Sequence, residues 1–377
     1  MNISTWYTHH FEARLKGRYV HSKHINPILD LYQDVISISV IGTSENGNKI
    51  SCVKVGNGKK VILGWSQMHG NESTTTKALF DFFKFIAQKK YFSKEIDLFL
   101  KTYTFYVIPI LNPDGAELYT RENINTVDLN RDAKNLSQPE SRVLRGLFNK
   151  INPELCLNLH DQRTMYSLPN GKSATVSFLA PSANAEREVT SARRVAMGEI
   201  ERLNTALSIH IPGQIGRYDD AFNENCVGDT FQMVGVPTIL FEAGHYPGDY
   251  QREKTRAYIF YALLSLFRIT EEVKTANNTP YSKIPENDEL FKDVIIRNVD
   301  INGEITSLSM SYEGNLVEGS IHFVPILDQI GSLEAFFGHK EIDAHGVKIL
   351  LNSHENVFVG EKVETIVDRI SGNCLFS

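Results

Sequence analysis

His69 and Glu72 stand three residues apart in Trp65-Ser-Gln-Met-His-Gly-Asn-Glu72, just after an apolar run that ends near Gly64. Imidazole nitrogen and carboxylate oxygen are ordinary zinc donors, and from a turn that opens a helix both can reach one ion. A third donor, His160, ends the run Leu155-Cys-Leu-Asn-Leu-His160. Catalytic zinc takes three protein ligands and keeps a fourth position for water. The ion lowers the pKa of that water and polarises a substrate carbonyl. A carboxylate must then carry the proton to the leaving group. Glu242, which ends Val236-Pro-Thr-Ile-Leu-Phe-Glu242, has the right chemistry and position. Taken singly, each residue has an ordinary reading: a chance His-x-x-Glu pair, a structural histidine, a strand meeting water. The conjunction is what points to one zinc per chain and a hydrolase.

Arginines add to the pattern. Tyr119-Thr-Arg121-Glu-Asn123 is followed by Val127-Asp-Leu-Asn130-Arg131-Asp132. A guanidinium forks onto a carboxylate, so Arg131 with Asn130 can clamp a substrate carboxylate. Arg121 can stabilise a developing oxyanion. Surface arginines in a loop remain the alternative.

These residues need strand ends and turns to position them. Strand patterns cover Val35–Val40, Ile50–Val55, Lys60–Trp65, Thr104–Ile110, Leu155–Leu159, Ser177–Ala180 and Pro237–Phe241. Helical spacing covers Glu72–Ala87, Ser137–Ile151, Asn184–Leu207, Asp229–Met233 and Gln251–Ile269. Gly42–Gly47 and Asn112-Pro-Asp-Gly115 read as turns. Alternating strands and helices with continuous apolar strands predict a three-layer α/β/α sandwich. Residues 1–35 read as a helical docking segment, carrying Phe11, Leu15, Tyr19, Leu29 and Tyr32. Thr275–Pro280 reads as a linker. Short β-like runs follow at Val294–Val299, Ser307–Tyr312, Ser320–Val324, Lys348–Leu351 and Asn356–Val359. The expected domains are a catalytic one over 1–275 and a small all-β one over 285–377. His339 reads as structural or exposed.

With 377 residues, 42% hydrophobic and 22% charged, the chain can bury a large core. A net charge of -6 offers no field for nucleic acid. The four cysteines, Cys52, Cys156, Cys226 and Cys374, form no CxxC pair, against a cysteine zinc site or a disulfide scaffold. No stretch approaches the ~18 apolar residues of a membrane span, and Met1–Arg18 carries no signal-like apolar core. The expectation is a cytoplasmic protein without membrane or nucleic-acid partners.

Taken in order, the Gly42–Gly47 turn, His69-Gly-Asn-Glu72, Asn112-Pro-Asp-Gly115, Asp128-Leu-Asn-Arg131, His160 and Glu242 resemble the M14 zinc carboxypeptidases over roughly residues 35 to 265. The resemblance implies a mixed central sheet and zinc held by His69, Glu72 and His160. It implies Glu242 as base, Asn130-Arg131 on the substrate's terminal carboxylate and Arg121 on the scissile carbonyl. The short Arg121-to-Arg131 spacing is similar to the compact bacterial branch, which includes murein peptide amidases. One departure is Asp132-Ala133, where relatives often continue with Asn-Phe. The resemblance also makes Tyr218 the candidate mobile tyrosine. It puts Asp229 near the specificity stretch, either to recognise a substrate amine or as the N-cap of the helix that follows. Gly244–Glu253 reads as a site entrance, with His245 towards substrate, or as a structural turn.

The leading expectation is a metallocarboxypeptidase or amidase acting on a peptide or amide-linked small substrate. Rivals are an N-acyl amino acid deacylase of the aspartoacylase and succinylglutamate desuccinylase type, and a non-catalytic peptide-binding module. The C-terminal β domain is a candidate for covering the sheet edge, gating the site or oligomerisation.

Overall fold

The computed structural model describes residues 1–270 and 279–377. Most of the expected linker, Thr275–Pro280, lies outside the described residues. By internal contacts the chain divides into two units, Met1–Gln162 with Ala174–Asn287 and Arg163–Ser173 with Asp288–Ser377.

In the first unit the strands are β1 (Ile36–Thr43), β2 (Lys49–Val55), β3 (Lys60–Ser66), β4 (Tyr103–Ile108), β5 (Leu155–Asp161), β6 (Val176–Leu179), β7 (Ile215–Arg217) and β8 (Thr238–Ala243). They form one sheet in the order β1-β2-β4-β3-β5-β8-β6-β7. β4, β3, β5 and β8 run parallel, as do β6 and β7, whereas β1 pairs antiparallel with β2, β2 with β4 and β6 with β8, so the sheet is mixed.

The helices are α1 (Ile3–His10), α2 (Ser22–Leu29), α3 (Thr74–Ala87), α4 (Ser93–Thr102), α5 (Pro113–Leu118), α6 (Pro139–Ile151), α7 (Ser191–Ser208), α8 (Val227–Met233) and α9 (Glu253–Leu266). Side chains alternate across a strand, and the two faces accordingly feed two cores. Ile62, Leu157, Leu159, Ile239 and Phe241 pack with residues of α3, α4, α7 and α9, and with Trp6, Ile25 and Ile28 of the N-terminal helices. Leu63, Trp65, Cys156 and Ile108 pack with Leu144, Leu147 and Phe148 of α6 and with Val227 and Phe231 of α8. Both faces are therefore covered, as the unbroken apolar strands require.

Local chemistry moved three boundaries. Asn112-Pro-Asp-Gly115 is not a turn but the start of α5: the Asn112 side chain accepts the Gly115 N–H at 2.8 Å, and Pro113 presets the first helical φ. The helix expected from Asn184 begins only at Ser191, because Thr190 caps it at the Arg193 N–H. Ahead of that cap, Asn184 closes its own turn onto the Glu188 N–H. Glu72 lies in the turn before α3 rather than in the helix.

The second unit contains β9 (Phe291–Ile301), β10 (Glu304–Val317), β11 (Ser320–Gly331), β12 (Phe337–Asp343), β13 (Ile349–Leu351), β14 (Ile366–Asp368) and β15 (Cys374–Phe376). Four form a sheet in the order β11-β10-β9-β12 and three a smaller one, β13-β14-β15. Val294, Ile296, Leu308, Met310 and Leu327 form its core with Ile349, Leu351 and Ile366. Asn356–Val359 is not a strand. Phe358 and Val359 are both 61% exposed, and pairing with β11 falls instead on Gly360 to Val363. β12 has no apolar alternation to announce it, and it is held by parallel pairing to β9. His339 stacks on Phe291 at 4.3 Å, a structural role.

Candidate active site

The loop from β3 to α3 carries His69 and Glu72. Gln67, in a left-handed conformation, ties the loop down by donating to the carbonyls of Val20 and Gly70 at 2.9 and 2.8 Å. At Gly70 a Cβ would lie 2.0 Å from the Gly115 carbonyl carbon, so only glycine lets the loop approach α5 this closely. The Glu72 N–H donates to the His69 carbonyl at 3.1 Å, and that tight turn puts both side chains on one side.

β5 supplies His160 and also fastens the loop. Asp161 accepts from the backbone N–H and hydroxyl of Thr74, at 3.1 and 2.5 Å, and thereby caps α3 from a neighbouring strand. The Asp161 N–H donates to Glu72 Oε2 at 3.1 Å. β8 lies on the other side of β5, with Glu242 in register with His160.

The three candidate ligands converge. His69 Nδ1 is 2.7 Å from Glu72 Oε1, His160 Nδ1 is 2.8 Å from Glu72 Oε2, and the two Nδ1 atoms are 3.1 Å apart. One donor atom from each lies within 4.8 Å of the others, and all three residues are buried. The second nitrogen of His69 faces Asp128 Oδ1 at 3.0 Å, which leaves Nδ1 directed at the cluster. Glu242 Oε2 is buried and has no hydrogen-bond partner among the described residues. Two imidazoles and a carboxylate turned inward, one imidazole oriented from behind by an acid, are a donor set that fits zinc.

Electrostatics separate the two glutamates. Burial works to raise Glu72, but His69 and His160 against it hold its carboxyl well below the usual range. Burial pushes Glu242 well above that range, and the nearby Glu72 and Asp161 add to the shift. A buried carboxyl poised in this way is the environment of proton-transfer residues. Asp128 is likewise held low, because His69 and Arg121 outweigh its burial.

Arg121 joins the cluster. Its Nη2 is 3.0 Å from Asp128 Oδ2 and its Nη1 3.4 Å from Glu72 Oε1, while 42% of the side chain stays exposed. Asn130 accepts the Val227 N–H at 3.2 Å and so seats the start of α8. Arg131 is exposed and donates to the Asn130 carbonyl at 2.9 Å. Asp229 is not an N-cap: Cys226 holds that position, and Asp229 is the third residue of α8. Burial pushes its carboxyl up to about 7, against the pull of nearby Arg131. Tyr218 lies one residue past the edge strand β7, half-buried, its N–H donating to the Phe178 carbonyl at 3.1 Å. His245 is buried, its ring 4.7 Å from that of Tyr250.

Asp128 and Asp161 join the candidate site through their contacts with His69, Arg121, Thr74 and Glu72, and residue type alone does not nominate them. The signal for each was its position: Asp128 opens Asp-Leu-Asn-Arg131 and Asp161 directly follows His160. No helix among the described residues is long and apolar enough to cross a membrane.

Residues 22–290 match the sequence model of the zinc carboxypeptidase family, the M14 peptidases. Mouse carboxypeptidase M is 25% identical over 206 residues, which are 47% of this chain and 46% of that protein. The match thus spans about half the length of that curated relative. A metallo-carboxypeptidase from Burkholderia cenocepacia has a similar fold, with a TM-score of 0.54 at 16% identity, covering 66% of this chain and 68% of its own. Carboxypeptidase A from Helicoverpa armigera gives 0.52 at 16% identity, covering 67% and 73%. At that identity the likeness is one of fold.

Proposed function

The chain belongs to the zinc carboxypeptidase family, and from that premise we propose that it hydrolyses an amide bond next to a carboxylate-bearing residue, with one zinc held by His69, Glu72 and His160 and Glu242 as general base. The observation that carries this reading is the convergence of these three donors, at the ends of adjacent strands, beside Glu242, whose Oε2 is buried without a hydrogen-bond partner among the described residues. When bound, zinc supplies a Lewis acid that polarises the carbonyl and makes water a better nucleophile.

The chain's own residues do the rest. Glu242 takes the proton from the attacking water and returns it to the leaving nitrogen. Its raised pKa suits it to hold that proton between the two steps. Arg121 turns its partly exposed guanidinium from Asp128 towards the substrate carbonyl, where negative charge develops. Asn130 and Arg131 bind the substrate carboxylate, Arg131 as the exposed fork and Asn130 from the start of α8. Asp229, near Arg131, faces the substrate side chain, and its raised pKa favours an amine-bearing group that ionises it on binding. Tyr218 is assigned to contact substrate from its place upstream of Glu242 in the family pattern.

The test is a mass-spectrometric screen of the zinc-loaded chain against peptides, muropeptides and N-acyl amino acids. Release of free C-terminal amino acids or cleavage of an amide within a muropeptide supports the reading. Release of a small acyl acid alone reassigns the enzyme as a deacylase. Tight peptide binding without turnover by a zinc-loaded sample overturns hydrolysis altogether.

A further inference from the structure

Arg252 lies ten residues beyond Glu242, apart from the His-Glu-His cluster, and is 1% exposed. A guanidinium is rarely buried unless its donors are met. Here Nε is buried without a partner among the described residues, and the two terminal nitrogens are met by backbone. Nη1 donates to the Ala243 carbonyl at 2.8 Å and Nη2 to the Gln162 carbonyl at 2.9 Å. Ala243 directly follows Glu242, and Gln162 lies two residues after His160. One planar group thus bridges the carboxyl ends of β8 and β5, where the ladder makes its last bond, from the Gln162 N–H to the Ala243 carbonyl at 3.0 Å.

The turn that delivers Arg252 is built for it. Arg252 adopts φ +60°, a left-handed conformation that non-glycine residues seldom take. Its N–H donates to the Asp249 carbonyl at 3.0 Å. The Asp249 carboxylate accepts the N–H groups of Glu253, Lys254 and Thr255, at 2.9, 2.8 and 3.2 Å, and so locks the start of α9 behind the arginine. Gly244 completes the corner: a Cβ there would lie 2.2 Å from the Ala174 carbonyl oxygen and 2.3 Å from Gln162 Nε2.

We propose that Arg252 is a positioning residue that fixes the separation of His160 and Glu242 by bridging the carbonyls just beyond them. The inference rests on Glu242 being the base. A lysine at this position keeps the charge but lacks the planar fork that spans both carbonyls.

The experiment compares the full-length chain with Arg252→Lys and Arg252→Gln, each loaded with zinc and, separately, with cobalt(II). Both variants are expected to bind one metal, to lose roughly 100-fold in kcat, as misplacement of a reacting group does, and to keep KM. The visible absorption of the cobalt form is expected to shift as His160 relaxes. Arg252→Lys is the milder change and keeps the test open should Arg252→Gln not fold. Recovery of kcat by lysine overturns the proposal, because charge alone then suffices. A lower melting temperature with unchanged kcat per loaded site also overturns it, because the role is then only structural. If the wild-type chain hydrolyses no amide, the functional reading has failed. The cobalt spectra still decide the bridge: a shift in both variants supports it and no shift overturns it.

Discussion

His160 and Glu242 are register partners on the adjacent parallel strands β5 and β8. Partners in a parallel ladder sit about 4.8 Å apart and point to the same face. A metal-ligand candidate and a base candidate are therefore neighbours by backbone hydrogen bonding, not by the reach of a flexible loop. One strand spacing separates Glu242 from His160, and His69 and Glu72 follow β3, the strand beyond.

Replacing Glu242 by glutamine removes the proton carrier and leaves the donor cluster intact, since Glu242 is not one of the three converging residues. The expected result is a fall in kcat of about 10²–10⁴-fold. Metal analysis should find zinc bound as in the wild type. Loss of the metal together with activity would show that Glu242 is a ligand instead.

Asp128 orients His69 from behind and holds Arg121. Asp128→Ala should weaken zinc binding by about 10–100-fold, the usual cost of losing such a partner. Competition against a chromogenic chelator measures this directly. Unchanged affinity would reduce Asp128 to a surface anchor for Arg121.

Asp81 and Arg256 form a fully buried ion pair, with Nε and Nη2 both 2.7 Å from the carboxylate. The same carboxylate accepts the Glu12 N–H at 2.7 Å and the Tyr7 hydroxyl at 3.2 Å, and so ties the N-terminal segment to α3 and α9. Asp81→Ala removes the two-pronged partner of a buried guanidinium and leaves it, among the described residues, only the Glu253 carboxylate, 3.0 Å from Nη1. Urea unfolding should show a loss of about 3–5 kcal/mol.

Glu12 gives the fold an acid limit. Burial alone would raise its pKa, but hydrogen bonds from Arg14 and Tyr32 win and bring it down to about 2. A carboxyl with a depressed folded-state pKa contributes stability that is complete above its unfolded value. That contribution is lost as pH falls from about 4.5 towards 2. Unfolding free energies measured across this window should fall in the wild type and fall less steeply in Glu12→Gln. Parallel slopes would remove Glu12 from the account.

Local patterns made much of this architecture legible. The apolar runs at Lys60, Leu155 and Pro237 mark β3, β5 and β8 to within a residue or two, because buried parallel strands must be apolar on both faces. Short polar strands such as β12 escaped, because pairing to β9 rather than side-chain burial holds them. The extent of α7 and the identity of α5 depended on single side chains, Thr190 and Asn112, that choose between capping and closing a turn.

The same division runs through the site. Residue type and spacing alone nominated His69, Glu72, His160 and Glu242, because zinc chemistry admits few donors and a turn brings residues three apart together. Tertiary structure alone assigned Asp128 to His69, brought Arg121 onto Asp128, took the N-cap from Asp229 and turned Arg252 into a bridge. Those relations depend on strand order and register, β3 beside β5 and β5 beside β8. No local pattern encodes them, because they arise only when distant segments share hydrogen bonds in one sheet.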